Sequence, residues 1–479
     1  MLVFAAALAL AAQPADLTAE EALADLSLAR DALERIHPGY ERYADRADLD
    51  RRWAELEAGA QDGAGLAELY LGLSGLLTEI RCDHTKAELP RETEAARETD
   101  PVYLPFRFVL FDGRMFVDVA TEESGLRRGE EILSIDMDPV EDRLAAVRRF
   151  MPVDGFTDHV RDTQIETSGE FLGSGFDHFD PLLNAVSDRV RLTVGDPRGG
   201  EMRDVAADRI GFAEFRALRG EARRRNFSDA DAVTVERPAR GVAVLTIETF
   251  VNYRTPVSPQ AVFSPIFERL NADGVDTLIV DMRRNGGGST NAMIGLLSHL
   301  TRANATRINS EVWLTTYDFS GLRDHIRTWD PSALNPDPSW FREREDGRFD
   351  ALRGVDDLLN PFPRAEHAFN GDVVILTSRR NASGATQLIG ALNGQDHVTL
   401  IGDATGGSQE GPTAGQIWFL ELPNSGAVVR IPWLFQRSSV PDPEFGVGYA
   451  PDIEAADSYD SWMAGEDPAL AAALAFAAR

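Results

Sequence analysis

The sequence predicts an α/β fold organised around a parallel sheet, and two segments with one shared grammar carry that prediction. Residues 276–300, DTLIVDMRRNGGGSTNAMIGLLSHL, read as a strand Thr277 to Met282, a glycine-rich turn Arg283 to Ser289 and an apolar helix from about Asn291. Residues 371–394, GDVVILTSRRNASGATQLIGALNG, repeat it as strand Val373 to Thr377, turn Ser378 to Ala382 and a helix opening at Ser383. Both strands are continuously apolar rather than alternating, the pattern of strands covered on both faces. In such sheets a ligand site lies beyond the carboxyl ends of the strands, so both turns open onto one crevice. At a helix start, free N–H groups and the positive dipole end favour a developing negative charge. Gly286, Gly287 and Gly288 let the chain bring such groups close, and Ser383 places a hydroxyl beside them.

The other elements follow in chain order. Residues 1–15, MLVFAAALALAAQPA, read as a signal peptide with a cleavage-like ALA at Ala9 to Ala11, although the first basic residue is Arg30 and a basic n-region is missing. A periplasmic or secreted location is therefore the expectation. Residues 16–100 form a helical region. A capping box, Thr18 to Glu21, heads its first helix, Pro38 and Gly39 end it, and helices from Leu49 to about Ala58 and from Leu66 to Ile80 follow. This region delivers CDHTKAEL, Cys82 to Leu89. If that segment is extended, His84 and Lys86 share a side, because strand side chains alternate.

Residues 101–205 turn to strands. RFVLFDGRMFVDVA is a hairpin around Asp112 and Gly113, and Ser124 to Arg149 resembles the second half of a PDZ domain in its Gly-Leu turn, its strand EILSID and the helix after it. That resemblance implies a peptide groove; a generic β-rich domain without one is the alternative. A helical insert over 157–185 precedes the returning strand RVRLTVGD. The last region, 206–479, holds VAVLTIETF, both strand-turn-helix units, a strand Val398 to Gly402, the loop DATGGSQEGPTAG, a hairpin around Pro423 to Gly426 and a closing helix. Residues 303–370, rich in proline and without periodicity, read as an irregular insertion.

Composition excludes several functions. The 48 Lys and Arg against 78 Asp and Glu give a formal charge of −30, spread along the chain, which argues against nucleic acid or anionic membrane as partner. No stretch reaches the ~20 apolar residues of a membrane span. Cys82 is the only cysteine, so neither an internal disulfide nor a cysteine metal cage can form.

Five pieces together resemble the C-terminal processing peptidase and tricorn family of serine peptidases, within the Clp protease/crotonase-like fold group: DHT at Asp83 to Thr85, VDMRRNGGG at Val280 to Gly288, NASGA at Asn381 to Ala385, IGDATGG at Ile401 to Gly407, and GYAPDIEA at Gly448 to Ala455. They recur in the family's order. The resemblance implies a Clp protease/crotonase-like βα core over 206–479 and a peptide or protein substrate, with neither metal nor organic cofactor. It also implies Ser383 as nucleophile, His84 as general base, and N–H groups of Gly384 and of Gly287 or Gly288 as oxyanion hole. The chemistry fits those types: a hydroxyl needs an adjacent base near neutral pKa, and paired donors stabilise the oxyanion.

Processing peptidases of the bacterial type use a lysine after the serine, in a TxGK segment. Here that stretch reads ATGGSQ and no lysine follows Ser383, so a downstream Ser/Lys dyad is excluded. The tricorn-like branch uses histidine, oriented by a preceding serine and a distant glutamate. Asp83 stands in the preceding slot, and Glu444 lies near the glutamate, one residue out of register. Lys86, the only lysine of the chain, is a surface residue, a contact for a substrate carboxylate, or a base. Ser289 reads as a helix cap. Asp158, His159, Asp177, His178 and Asp180 match no helix-borne metal-ligand spacing. Two other functions remain open at this level: a non-catalytic binder of hydrophobic ligand or peptide on the same fold, and a crotonase-like acyl-CoA enzyme, which would have no need of Ser383 or DHT. Oligomeric state is not readable.

Overall fold

The computed structural model describes residues 16–167, 171–218, 226–352, 354 and 357–479; the signal-peptide reading of residues 1–15 lies outside them. The architecture is mixed α/β. Its centre is built from β1 (Val242–Ile247), β2 (Thr277–Asp281), α1 (Thr290–Leu300), β3 (Asp372–Thr377), α2 (Ser383–Leu392) and β4 (Val398–Gly402). The four strands run parallel in that spatial order, with Val280 opposite Leu245 on one side and Ile375 on the other. Ile453–Glu454 adds a parallel edge beyond β4, and Val233–Ala239 an antiparallel one outside β1.

The continuous apolar runs have their cause in this layering. Leu278, Val280 and Ile375 pack with Leu296 of α1 and Leu388 of α2, whereas Ile279, Val374 and Leu376 pack with Ala469 and Ala473 of the closing helix Pro468–Ala477. Alternate residues thus serve opposite faces, and both faces are dry.

A second, antiparallel sheet is built on the hairpin Thr413–Glu421 and Val428–Ser438. The strand Lys86–Glu88 pairs with Val428 to Arg430, and Asn309–Leu314 pairs further along the same hairpin strand. Phe349–Ala351 and Phe341–Glu343 extend this sheet, so part of 303–370, expected to be an irregular insertion, is instead sheet. Its strands are too short to show a period. The N-terminal helices Ala19–Ile36, Arg46–Gly59 and Leu66–Glu79 share one apolar core with the hairpin, where Leu26, Leu33 and Leu73 meet Trp418 and Ile431.

A third sheet joins Phe106–Phe111, Arg114–Ala120, Glu131–Ile135, Arg189–Gly195 and Arg203–Asp208, with the helix Val140–Arg148 burying Val140, Leu144 and Val147. These are the hairpin, strand and helix of the segment resembling a PDZ domain. Among the described residues no helix is long and apolar enough to cross a membrane.

One buried carboxylate ties the first helix to the hairpin. Asp25 accepts from Asn424 N–H (3.1 Å), Asn424 Nδ2 (2.9 Å) and Ser425 N–H (2.8 Å) at the hairpin turn. Asp25→Ala would leave those donors unmatched in the interior and is expected to cost about 2–3 kcal/mol in chemical denaturation. An unchanged midpoint would show that the turn is held by packing alone.

Candidate active site

The carboxyl ends of β1, β2 and β3 are joined by two asparagines with no exposed surface, Asn285 and Asn381. Asn381 Nδ2 donates to the carbonyls of Met282 (2.6 Å) and Asn285 (3.0 Å), and its Oδ1 accepts from Ser378 N–H (2.8 Å). Ser378 Oγ donates to the Arg283 carbonyl at 2.6 Å, closing the turn after β3 onto the turn after β2. Asn285 Nδ2 reaches the Ile247 carbonyl at the end of β1 (3.3 Å), while its Oδ1 accepts from Gly287 N–H (2.9 Å). Such residues favour turns because the side-chain amide substitutes for a backbone group.

This network presents Ser383 as the first residue of α2 with φ +49°, a left-handed conformation unusual for a residue with a Cβ. Left-handed backbone at a strand-to-helix turn costs of order 1–3 kcal/mol and persists where surrounding bonds over-determine it. Among the described residues the Ser383 hydroxyl has no hydrogen-bond partner, so a closed Ser383–His84 hydrogen bond is not present in this structure.

The glycine turn lies directly against the serine. A Cβ on Gly287 would stand 2.9 Å from the Ala382 carbonyl oxygen, 2.9 Å from Gly384 N and 3.0 Å from Ser383 Cβ. Gly287 and Gly288 have φ of +102° and +138°. Phe250 N–H donates to the Gly287 carbonyl (3.1 Å) and Ser289 N–H to the Phe250 carbonyl (2.8 Å), so a Gly288 Cβ would fall 2.4 Å from the Phe250 carbonyl carbon. Because Gly287 N–H is committed to Asn285, Gly288 is the better placed donor of the two; its nitrogen is 3.8 Å from where a Gly384 Cβ would stand. Ser289, expected to cap α1, is its N-cap residue, but its Oγ accepts from Asn252 N–H (3.0 Å) and no side-chain cap bond forms.

His84 lies in a turn closed by Thr85 N–H on the Cys82 carbonyl (3.1 Å), and the strand starts only at Lys86. The alternation argument that put His84 and Lys86 on one side therefore does not apply. His37 anchors the turn: Gly39 N–H donates to its Nδ1 (3.0 Å), which leaves Nε2 carrying the proton toward Thr85 Oγ1 at 2.7 Å. Burial pushes His37 down to about 3, consistent with that neutral tautomer. Burial likewise lowers His178, His299 and His397.

His84 goes the other way. Burial opposes its charge, but Asp83, with Oδ1 2.6 Å from Nδ1, outweighs that and with Cys82 raises it well above the ordinary value. The N–H direction misses the carboxylate oxygen, so the contact is an ion pair rather than an aligned hydrogen bond. Cys82, Asp83 and His84 bring potential ligand atoms within 4.8 Å of one another, a closeness their adjacency in the chain explains; the Cys82 thiol points to the Thr413 carbonyl at 3.5 Å.

Other expected residues fall elsewhere. The Glu444 side chain is exposed and makes no hydrogen bond to His84; among the described residues only its backbone N–H is engaged, with Gln409 Oε1 at 3.0 Å. A loop position facing solvent removes it from the orienting role the motif register suggested. Lys86 lines a small cleft with Thr78, Phe150, Pro152 and Phe171. Asp158 pairs with Arg161 (2.9 Å) and Asp180 with Arg143 (3.0 Å), while His178 Nε2 meets the Tyr70 hydroxyl (2.8 Å) and His159 Nε2 the Thr405 carbonyl (3.1 Å).

Sequence reasoning assigned nothing to the buried Asp154, Ser408 and Glu410 or to Tyr43. Ser408 donates through both N–H and Oγ to Asp154 Oδ2 (2.9 Å each), and Tyr43 donates to Ser408 Oγ (3.2 Å) and Glu410 (3.1 Å). Asn381 was visible in NASGA, and an asparagine before a turn is a usable signal; Asp154, in MPVDGF, sits in no pattern.

A serine at a strained helix start, a glycine turn against it and a carboxylate-paired histidine are groups of the kinds a serine-type peptidase uses. Residues 241–455 match the model described as peptidase family S41. Among solved structures it is similar to mature CPAF complexed with lactacystin, at 16% identity over 92% of this chain and 95% of that one with a TM-score of 0.61. Mature CPAF gives 16% identity over 92% and 94% with a TM-score of 0.59, and the tricorn protease 17% over 96% and 37% with 0.40. At such identity the CPAF likeness establishes the fold. No curated protein matches the chain.

Gly288→Ala tests the close approach of the turn. The added Cβ must displace the Phe250 backbone, so a melting temperature several degrees lower and a loss of activity are expected. A variant with wild-type melting and wild-type turnover would remove the steric argument.

Proposed function

We propose that this peptidase works by a Ser/His acyl-enzyme mechanism, tricorn-like rather than Ser/Lys. The observation that carries the reading is Ser383, strained at φ +49° and packed against Gly287 and Gly288. Ser383 Oγ attacks the peptide carbonyl carbon while His84 accepts its proton; Gly288 and Gly384 N–H groups receive the oxyanion. His84 then gives that proton to the departing amine, and water attacks the acyl-enzyme with His84 again as base. Asp83, beside Nδ1, stabilises the imidazolium formed in each half-reaction.

No Ser383–His84 hydrogen bond forms among the described residues, and the mechanism requires that bond to close when substrate arrives. The segment resembling a PDZ domain would hold part of the substrate chain, and neither metal nor organic cofactor enters the scheme. Absence of any lysine after Ser383 supports histidine as base.

Labelling with a fluorophosphonate and mapping the adduct tests the nucleophile, with Ser383 as the expected site. Ser383→Ala should lower turnover by roughly 10³-fold or more with an unchanged circular dichroism spectrum. Wild-type turnover by the folded variant would sink the assignment.

The pH profile tests the base. Since His84 must be neutral to accept a proton and its pKa is raised, activity should climb with pH through an apparent pKa above 6.5. Asp83→Asn removes the raising charge and should move that limb to lower pH; Lys86→Met should leave it in place. A limb that follows Lys86 and ignores Asp83 would establish lysine as the base.

A further inference from the structure

The turn carrying Asp154 touches both halves of the site. Gly155 N–H donates to the Arg81 carbonyl (2.9 Å) and Arg81 Nη1 to the Gly155 carbonyl (3.0 Å), two residues before Asp83. On the other side Thr157 Oγ1 donates to the Gly406 carbonyl (2.9 Å), and Gly406 and Gly407 N–H groups both end on the Asn381 carbonyl (2.8 and 3.0 Å), two residues before Ser383. Asp154 itself is 4% exposed and takes both Ser408 hydrogen bonds on Oδ2.

We propose that Asp154 is a positioning residue for the catalytic pair: through Ser408 it fixes the loop behind Ser383 against the histidine turn, and its negative charge acts on Asp83, the partner of His84. This rests on the Ser/His reading above. The geometry leaves the carboxylate few other roles, since no cation makes a salt bridge to it among the described residues; Arg42, the nearest guanidinium in charge terms, pairs with Glu410 (3.1 Å).

The charged and titratable groups around Asp154 come from every packed element. They are Arg81, Asp83 and His84 on the histidine turn, Arg42 and Tyr43 after the first helix, Glu410 on the loop after β4, and Asp158 and His159 on its own segment. Burial first, then the Asp83 charge, push Asp154 up to about 6, against Arg42 and the Ser408 hydrogen bonds. Asp154 and Asp83 act on each other's charge, and Asp83 acts on His84, so the three titrate as a linked set. Protonation of Asp154 weakens the acceptor holding Ser408 and so loosens the loop behind Ser383; the lost charge by itself lowers the His84 pKa and adds nothing to the rate loss.

The experiment is the second-order rate of fluorophosphonate labelling of Ser383 against pH, for the full chain, Asp154→Asn and Ser408→Ala. In the wild type the rate should fall about tenfold per pH unit while His84 alone protonates, steepening toward about a hundredfold per unit once Asp154 joins it near pH 6. Asp154→Asn should keep the single-proton slope throughout, with its limb at lower pH. Ser408→Ala, which loses a hydrogen bond to the charged form, should move the steep part to higher pH.

A limb for Asp154→Asn parallel to wild type, with only a uniform rate loss, would show a merely structural carboxylate and overturn the proposal. If that variant does not fold by circular dichroism, Ser408→Ala decides, and an unmoved steep limb overturns it. Wild-type enzyme unlabelled at Ser383 at every pH would instead overturn the Ser/His reading, and this inference with it.

Discussion

The site depends on one buried amide. Asn381 joins the turns after β2 and β3 through its side chain, and its carbonyl receives Gly406, Gly407 and Thr386 Oγ1. Each of those groups is in the interior, where an unmatched donor or acceptor costs about 1–3 kcal/mol, so the set rearranges together or not at all. That is the physical means by which Ser383 is kept left-handed: the backbone on both sides is spoken for, and the residue between takes what conformation remains. A hydroxyl with no partner of its own is thereby aimed by bonds it does not make.

The histidine arrives by a different route. Its turn leads into the edge strand Lys86–Glu88 of the antiparallel sheet and is anchored by His37, Thr413 and Gly155, whereas Ser383 starts a helix of the parallel sheet. Ser383 and His84 therefore belong to different layers, with the loop 403–413 and the turn 154–157 between them. The charge logic is equally divided. Burial keeps His37, His178, His299 and His397 neutral, and the carboxylate of Asp83 makes His84 the exception.

The parallel core was legible because each strand and helix is long, apolar and bounded by turn residues; β2, β3, α1 and α2 fall within a residue or two of their sequence-based limits. Ser383, the glycine turn and His84 were legible as motif letters. What the sequence could not show is which N–H groups are spent: Gly287 looked equivalent to Gly288 until Asn285 claimed it. Register misled in two places. The strand after DHT begins late, which voids the shared face of His84 and Lys86, and a motif match one residue off left Glu444 in solvent. Asp154 was invisible because its role is made by contacts with residues more than 70 positions before and 250 after it in the chain, as with Arg81 beside Gly155 and Ser408.

With Ser383 and His84 on separate layers, the proposed pairing is more fragile than the fold. Local openings occur at free energies below that of global unfolding, and they follow supersecondary units. Here the N-terminal helices and their edge strand form such a unit, fastened to the hairpin by their shared apolar core, by Asp25 and by the short pairing with Val428 to Arg430. A peel of that unit carries His84 away while the parallel sheet, dry on both faces, stays whole. Heat would thus part His84 from Ser383 through a partly open form that still carries most of its native spectrum, and cooling would return the histidine to a serine that never lost its shape.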